Sequence, residues 1–267
     1  MVARTPSAEY LILDIETIPD VERWRPPETG VTTDTPAPRV PFPPSWAHRV
    51  IVIGCLWLDH SYRLKRLGVV GEPGGGEGTP DQRERMLLED FSRFVGRARP
   101  VLVTYNGRSF DLPVIALRSL CHGVSLGWYY REKNVRYRYS EEGHLDLCDW
   151  LADHGATRSG SLDAIARLIG LPGKVGVDGS QVEGLYKAGE LGAIQRYCLA
   201  DVTQTALLFL RFRLLQGMLR PEAYQEAARA LIDALSADGR VNEVLDGTDR
   251  AHYIGASKLG ADVIADS

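Results

Sequence analysis

A mixed α/β fold, with one central sheet of about five strands and helices on both faces, is what this sequence predicts. Three observations predict it. Three strand-like runs come first, and helical segments then alternate with further strands. One run, residues 50–58 (VIVIGCLWL), is apolar without interruption, as in a strand covered on both sides. A long segment, residues 190–216, carries Leu191, Ile194, Cys198, Val202, Thr205, Phe209 and Phe212 at the three-and-four spacing of a helix laid against a layer.

The elements follow in order. Residues 10–15 (YLILDI) predict the first strand. Residues 19–44 hold 8 of the chain's 15 prolines, so a Pro-rich loop is expected over 19–48. Residues 50–58 are the second strand, His60-Ser61 a turn, and residues 62–70 (YRLKRLGVV) a more exposed third strand paired as a hairpin. A Gly-rich loop, 71–78, leads to a helix over about 82–96 with Leu87, Phe91, Phe94 and Val95 on its inner face. Pro100 precedes a fourth strand, 101–105 (VLVTY), and a helix starts near Leu112. Residues 144–147 (HLDL) suit a short fifth strand, and Ser161 the N-cap of a helix that ends before Gly170. A final amphipathic helix is expected over 222–235, through Tyr224, Leu231, Ile232 and Leu235. The polar stretch after Ala237 reads as a loose tail with room for one more helix. The division is therefore a main domain over 1–220, then a C-terminal helix and tail over 221–267.

Composition narrows the function. With 31 basic and 35 acidic residues the net charge is −4 and the pI about 5.9, which excludes a protein dominated by a basic surface but not a local basic patch. Cysteines 55, 121, 148 and 198 form no Cys-x-x-Cys pair, so neither a zinc knuckle nor a disulfide scaffold is expected. No apolar run approaches the roughly 18 residues of a membrane span, and the N-terminus lacks a secretory pattern. A soluble, reduced, cytoplasmic protein with no membrane partner is the expectation.

Three places carry acids where acids are unusual. Asp14 and Glu16 lie two apart on the first strand, so they share a face and repel each other unless a cation sits between them. The alternative is a strand end emerging into water. Asp111 stands at the strand-to-helix junction YNGRSFDLP, where helix N-capping is the competing explanation. Tyr197 and Asp201, one turn apart on the long helix, flank its apolar stripe, and a buried structural hydrogen bond would explain them equally.

Together these pieces resemble the DEDD superfamily of 3′-to-5′ exonucleases in its tyrosine subclass. Asp14-Ile15-Glu16 matches the first motif, Asn106-Gly107-Arg108-Ser109-Phe110-Asp111 the second, and Tyr197 to Asp201 the third. The histidine subclass would need His at the position held by Arg196. The flanking text FPPSWAHRVIVIG, NGRSFDLPVIALR, LIGLPGK, VDGSQVEGLY and YCLADVTQTALLFLR is similar to the predicted stand-alone exonucleases related to the proofreading domain of family B DNA polymerases, over about residues 8–217. The resemblance implies an RNase H-like fold. It also implies two divalent ions, Mg²⁺ or Mn²⁺, held by Asp14, Glu16, Asp111 and Asp201. In that picture Asp14 bridges both ions, Glu16 and Asp201 complete the water-activating site, Asp111 serves the second ion, and Tyr197 orients the attacking water. Hard cations prefer carboxylate oxygens, and two of them suit phosphodiester hydrolysis.

The expected partner is a single-stranded 3′ end of nucleic acid, DNA ahead of RNA. Residues 128–139 (WYYREKNVRYRY) hold five of the 22 aromatics with a local charge of +3. Arg131, Lys133 and Arg136 would there meet phosphates between stacking rings. A β-hairpin with alternating Arg and Tyr is the equal alternative. Asn106 and Phe110 of the second motif, and Lys174 of LPGK, complete the substrate-binding set. Arg211, Arg213 and Arg220 read as a solvated helix face. Two other functions stay open: an RNase H-like module that binds nucleic acid or protein without cleaving, and a metal-dependent phosphatase or small-nucleotide hydrolase.

Overall fold

A computed structural model describes residues 8–26, 42–71, 77–176 and 179–255. Most of the Pro-rich loop (27–41), most of the Gly-rich loop (72–76) and the last twelve residues (256–267) lie outside the described residues. The strands are β1 (Tyr10–Pro19), β2 (His48–Leu58), β3 (Leu64–Val69), β4 (Val101–Thr104) and β5 (His144–Asp146), in spatial order β3-β2-β1-β4-β5. β1, β2 and β3 pair antiparallel, whereas β1, β4 and β5 run parallel.

The helices are α1 (Pro80–Ala98), α2 (Asp111–His122), α3 (Gly127–Arg131), α4 (Lys133–Arg136), α5 (Leu147–Leu151), α6 (Leu162–Leu168), α7 (Val182–Lys187), α8 (Leu191–Leu215), α9 (Pro221–Asp238), α10 (Asn242–Asp246) and α11 (Arg250–Gly255). α1 begins with a reciprocal capping box, Thr79 with Gln82, and Pro80 in its first turn, where the missing N–H costs nothing. The Ser161 side chain caps α6 by accepting from Ala164 N, as the sequence predicts.

Strand alternation sorts β1 into two faces. Leu11, Leu13 and Ile15 pack with Leu87, Leu88, Phe91 and Val95 of α1 and with Leu112, Val114 and Ile115 of α2. Ile12 faces the other way, onto Val202, Ala206 and Phe209 of α8 and Tyr224, Leu231 and Leu235 of α9. Full burial of each such Leu or Phe contributes about 1.5–3 kcal/mol. Helices therefore cover both faces, and the long helix expected over 190–216 is α8.

Three expectations are corrected. Residues 128–139 are not a β-hairpin. They fold as α3 and α4 with an irregular continuation, because Trp128 packs edge-on against Phe91, with its indole N–H on Ser92, and Val135 is buried with it. Alternation of Arg and Tyr over so short a run loses to these two anchors. The stretch after Ala237 is packed as far as residue 255, with Val241, Val244, Leu245 and Tyr253 buried and the Tyr253 hydroxyl donating to Leu207 O. Two helices of five and six residues are too short to show a period in sequence. Arg213 is no solvated residue: it is buried, ion-paired with Glu141 and stacked over Tyr10 and Phe209. Arg211 donates to the Tyr224 hydroxyl.

Candidate active site

β1 runs four residues beyond the predicted strand, to Pro19, and carries Asp14 and Glu16 on the face that Ile12 shows to α8. Directly after Glu16 the pairing with β2 slips: Glu16 opposes Val52 and Thr17 opposes Val50, so Ile51 is the extra residue of a bulge. Bulges of this kind gather beside functional sites, where they re-aim side chains. Across from Asp14 stands Gly54. A Cβ there would come within 2.6 Å of the Cys198 sulfur, so only glycine lets α8 lie this close to the sheet. That approach brings Cys198 to β1, where its thiol donates to Asp14 O and Oδ2, both at 3.5 Å.

On either side of Cys198 in the chain, α8 presents Tyr197 and Asp201, one turn apart and close enough for each to act on the other's pKa. The third contribution is Asp111, the first residue of α2. It is buried and does not cap the helix: Phe110 holds the cap position without a side-chain bond. Its Oδ1 accepts instead from Ile15 N at 3.2 Å, between the two strand acids. The capping alternative is thereby set aside.

The loop that delivers Asp111 is built around Asp146, at the end of β5. Asp146 Oδ1 accepts from Asn106 N (2.8 Å) and Cys148 N (3.0 Å), and Oδ2 from Arg108 N (2.7 Å). One buried carboxylate thus caps α5 and fixes the turn after β4. Asn106 adopts the left-handed conformation at φ 66°, which Asn tolerates better than most residues. Gly107 follows because a Cβ would meet Thr104 at 2.6 Å. In sequence, an Asp at a strand end reads as a cap or as a supporting residue; the structure gives Asp146 both tasks.

Electrostatics single this cluster out. Burial, then the charges of Asp111, Glu16 and Asp201, hold the Asp14 carboxyl well above its ordinary range. Glu16 is raised by burial and by Asp201 and Asp111. Burial, with Asp146 adding, pushes Asp111 up to about 7, and burial pushes Asp201 up to about 6 against the neighbouring Tyr197 hydroxyl and the charge of Lys174. Tyr197 is raised by burial and then by the surrounding acids, so it keeps its proton. Asp14, Glu16 and Cys198 can bring ligand atoms within 4.8 Å of one another. Four carboxylates in each other's field, mostly buried, form a donor set fitted to hard divalent cations; the thiol, protonated and pushed up by burial, is not needed for it.

The predicted residues divide into two groups. Asp14, Glu16, Asp111, Tyr197 and Asp201 converge, and Lys174 stands close enough to lower the Asp201 pKa. Phe110 lies beside them, against His48 and Phe42. Arg131, Lys133 and Arg136 do not reach the carboxylates. Arg136 stacks over Tyr130 at 5.0 Å, and its backbone oxygen accepts from Arg108 of the Asn106 loop. Arg131 and Lys133 are exposed and form no ion pair among the described residues.

Relatives of three kinds match this chain. A family described as predicted 3′-5′ exonucleases related to the exonuclease domain of PolB matches residues 40–247, a stretch that includes Asp111, Tyr197 and Asp201. The catalytic subunit of DNA polymerase epsilon from Schizosaccharomyces pombe is 25% identical over 131 residues, 47% of this chain and 6% of the relative. Its counterpart from Dictyostelium discoideum is 33% identical over 89 residues, 32% of this chain and 4% of the relative. The chain thus spans only a small fraction of these polymerase subunits. The family B DNA polymerase of the hyperthermophilic archaeon Pyrobaculum calidifontis superposes with a TM-score of 0.51 at 20% identity, over 84% of this chain and 26% of that one. That likeness is one of fold, and the fold is RNase H-like.

Proposed function

The chain belongs to the family of predicted 3′-5′ exonucleases related to the exonuclease domain of PolB, and from that premise we propose that it hydrolyses phosphodiester bonds at the 3′ end of nucleic acid, single-stranded DNA ahead of RNA, with Mg²⁺ or Mn²⁺. The observation that carries the proposal is the convergence of Asp14, Glu16, Asp111 and Asp201, from a strand, a helix start and a second helix, into one cluster in which all four carboxyl pKa values are raised.

Those four side chains would hold the two divalent ions, which when bound supply a nucleophile at neutral pH and charge neutralisation at the phosphate. Tyr197, which burial and the surrounding acids keep protonated, offers its single O–H as the hydrogen-bond donor that would position the attacking water. It cannot serve as base, since its pKa lies above the ordinary phenol value. Water oxygen adds to phosphorus and the bond from phosphorus to the 3′ oxygen breaks. A nucleoside 5′-monophosphate leaves, and the shortened strand keeps a 3′ hydroxyl. Lys174, near Asp201, supplies a positive charge on the substrate side. Asp146 works at a distance, by holding the backbone of Asn106 and Arg108.

The test is digestion of 5′-labelled single-stranded DNA and RNA with Mn²⁺, with Mg²⁺ and with EDTA, beside Asp14→Ala. A ladder that shortens from the 3′ end and disappears with EDTA or the variant supports the reading. Folded protein that binds these strands without cutting them would replace it with a non-catalytic binding module.

A further inference from the structure

Between the sheet and α1 lies a cavity of about 570 Å³. Leu11 lines it, and strand alternation puts Leu11 and Asp14 on opposite sides of β1, so the cavity and the carboxylates lie across the sheet from each other. That volume suits one small organic molecule. The space exists because β3 offers no side chain at Gly68. Gly68 stands opposite Cys55 in the register, and a Cβ there would meet nothing nearer than an Arg240 nitrogen at 3.9 Å.

The inner surface is aromatic. Trp57 of β2 meets Phe94 of α1 edge-on, with ring centroids 5.1 Å apart, and both line the cavity. Lys65, itself paired with Glu9 at 2.7 Å, covers one face of the indole at 4.1 Å. An occupant therefore meets the corner between the two rings. The Trp57 Nε1 is buried and has no acceptor among the described residues. A buried N–H without a partner is uncommon enough to need an explanation. A ring with acceptor nitrogens in that corner would supply one.

The outer surface is cationic. Arg66, Arg93 and Arg97 line the cavity and are exposed. The single acid among its described lining residues, Asp90, is taken by Arg93 at 2.8 Å. Arg66 and Arg97 form no ion pair among the described residues. Burial pushes the Cys55 thiol up to about 12 against the charge of Arg66, which sets that charge close to the cavity floor. Guanidinium groups bind phosphate through paired, charge-assisted hydrogen bonds. A flat ring with acceptor nitrogens inside and a phosphate at the mouth is the chemistry of a nucleotide, and purines carry such acceptors. A fatty acid would match the arginines but leave the indole N–H unpaired.

We propose that this cavity binds a purine nucleoside 5′-monophosphate, with the base in the corner of Trp57 and Phe94 and the phosphate at Arg66 and Arg97. The site is separate from the carboxylates and does not rest on the exonuclease reading. Nucleoside 5′-monophosphates are also what that reaction would release, so the ligand belongs to the class of its product.

The experiment is calorimetric titration of the full chain with deoxyadenosine 5′-monophosphate in EDTA, which removes any ions that would hold phosphate at the carboxylates. The expected result is one nucleotide bound per chain by wild type. Deoxyadenosine should bind about tenfold more weakly, and so should the nucleotide to the double variant Arg66→Ala, Arg97→Ala. Gly68→Leu, whose side chain would fill the cavity, should not bind, and Trp57→Phe, which keeps a ring but lacks the N–H, should bind more weakly. A melting curve shows whether Gly68→Leu is folded; if it is not, the arginine variant, altered only at exposed side chains, decides. No binding by folded wild type overturns the inference. Equal affinity in the double variant and in folded Gly68→Leu also overturns it, because the nucleotide would then sit elsewhere. Equal affinity of wild type for deoxyadenosine and its phosphate overturns it too, since the arginines would then take no part. Each of these results leaves the exonuclease reading standing, because cleavage with Mn²⁺ is measured separately.

Discussion

Two clusters of acids, one where the end of β1 meets α1 and one on β1, differ in what neutralises them. Just past the end of β1, Asp20 accepts from Arg23 (2.9 Å) and pairs with Arg118 (2.8 Å) and Arg49 (3.4 Å). Glu84 takes two hydrogen bonds from Arg118 (2.7 and 2.6 Å), one from Val50 N (2.9 Å), and contacts His122. Asp81 pairs with Arg23 and Arg49. Burial alone would raise Asp20, but its arginine partners outweigh that and leave it below the ordinary range; Asp81, bonded by Arg23, falls to about 2. Further back along β1, Asp14 and Glu16 have no guanidinium partner among the described residues, and burial with mutual repulsion raises them. Asp81, Glu84 and His122 can also bring ligand atoms within 4.8 Å of one another. Proximity therefore does not separate the clusters. Charge balance does: the first is satisfied from within the chain, and the second is built for positive charge from outside it.

The largest expected effect falls on chemistry. Asp14→Asn should lower 3′-end cleavage about 10³-fold, while raising the metal-free melting temperature because one repelling carboxylate is gone. A metal-free variant less stable than wild type would break the contrast. Arg118→Met should do the reverse. It leaves Glu84 and Asp20 buried without their main cation and should cost about 3–5 kcal/mol in denaturant unfolding. A loss below about 1 kcal/mol, the scale of an exposed pair, would mean that the network is not charge-balanced in the way its geometry indicates.

The clusters should also oppose each other in pH. A carboxyl with a raised folded-state pKa contributes stability that is present below the unfolded value and lost as pH rises through the folded one. For Asp111 and Asp201 that window runs from 3.8 to about 7 and about 6. Metal-free protein should therefore gain on the order of 6 kcal/mol between about pH 8 and pH 4. Asp20 and Asp81, lowered, contribute stability above 3.8 that is lost as pH falls toward 2. A stability maximum near pH 4 to 5 without metal, flattened toward pH 8 when Mn²⁺ is added, is the combined expectation. Melting curves across this range check it, and stability that climbs from pH 5 to pH 8 in EDTA would contradict it. The smallest effect is steric. Gly54→Ala should cost about 1–3 kcal/mol by forcing α8 off the sheet at Cys198, with cleavage falling alongside because α8 carries Tyr197 and Asp201.

Local chemistry makes much of this legible in sequence. The alternation of β1, the period of α8 and the acid at the end of each relevant element are readable because each depends on neighbours within a few residues. What is not readable is non-local. Glu84, Arg118 and Asp20 come from separate parts of the chain and carry no spacing signal. Gly54 looks like any strand glycine until α8 is laid across it. The basic segment 128–139 suits a hairpin on paper because its period of two outweighs the single Trp128 anchor in sequence, though not in three dimensions.

The most direct test of the account is equilibrium binding of Mn²⁺ to metal-free protein at pH 7.5, for wild type, Asp14→Asn and Asp81→Asn. Saturable binding of two ions by wild type and by Asp81→Asn, weakened at least tenfold in Asp14→Asn, is the predicted result. Binding unchanged in Asp14→Asn but lost in Asp81→Asn would assign the ions to the arginine-rich cluster and contradict the account.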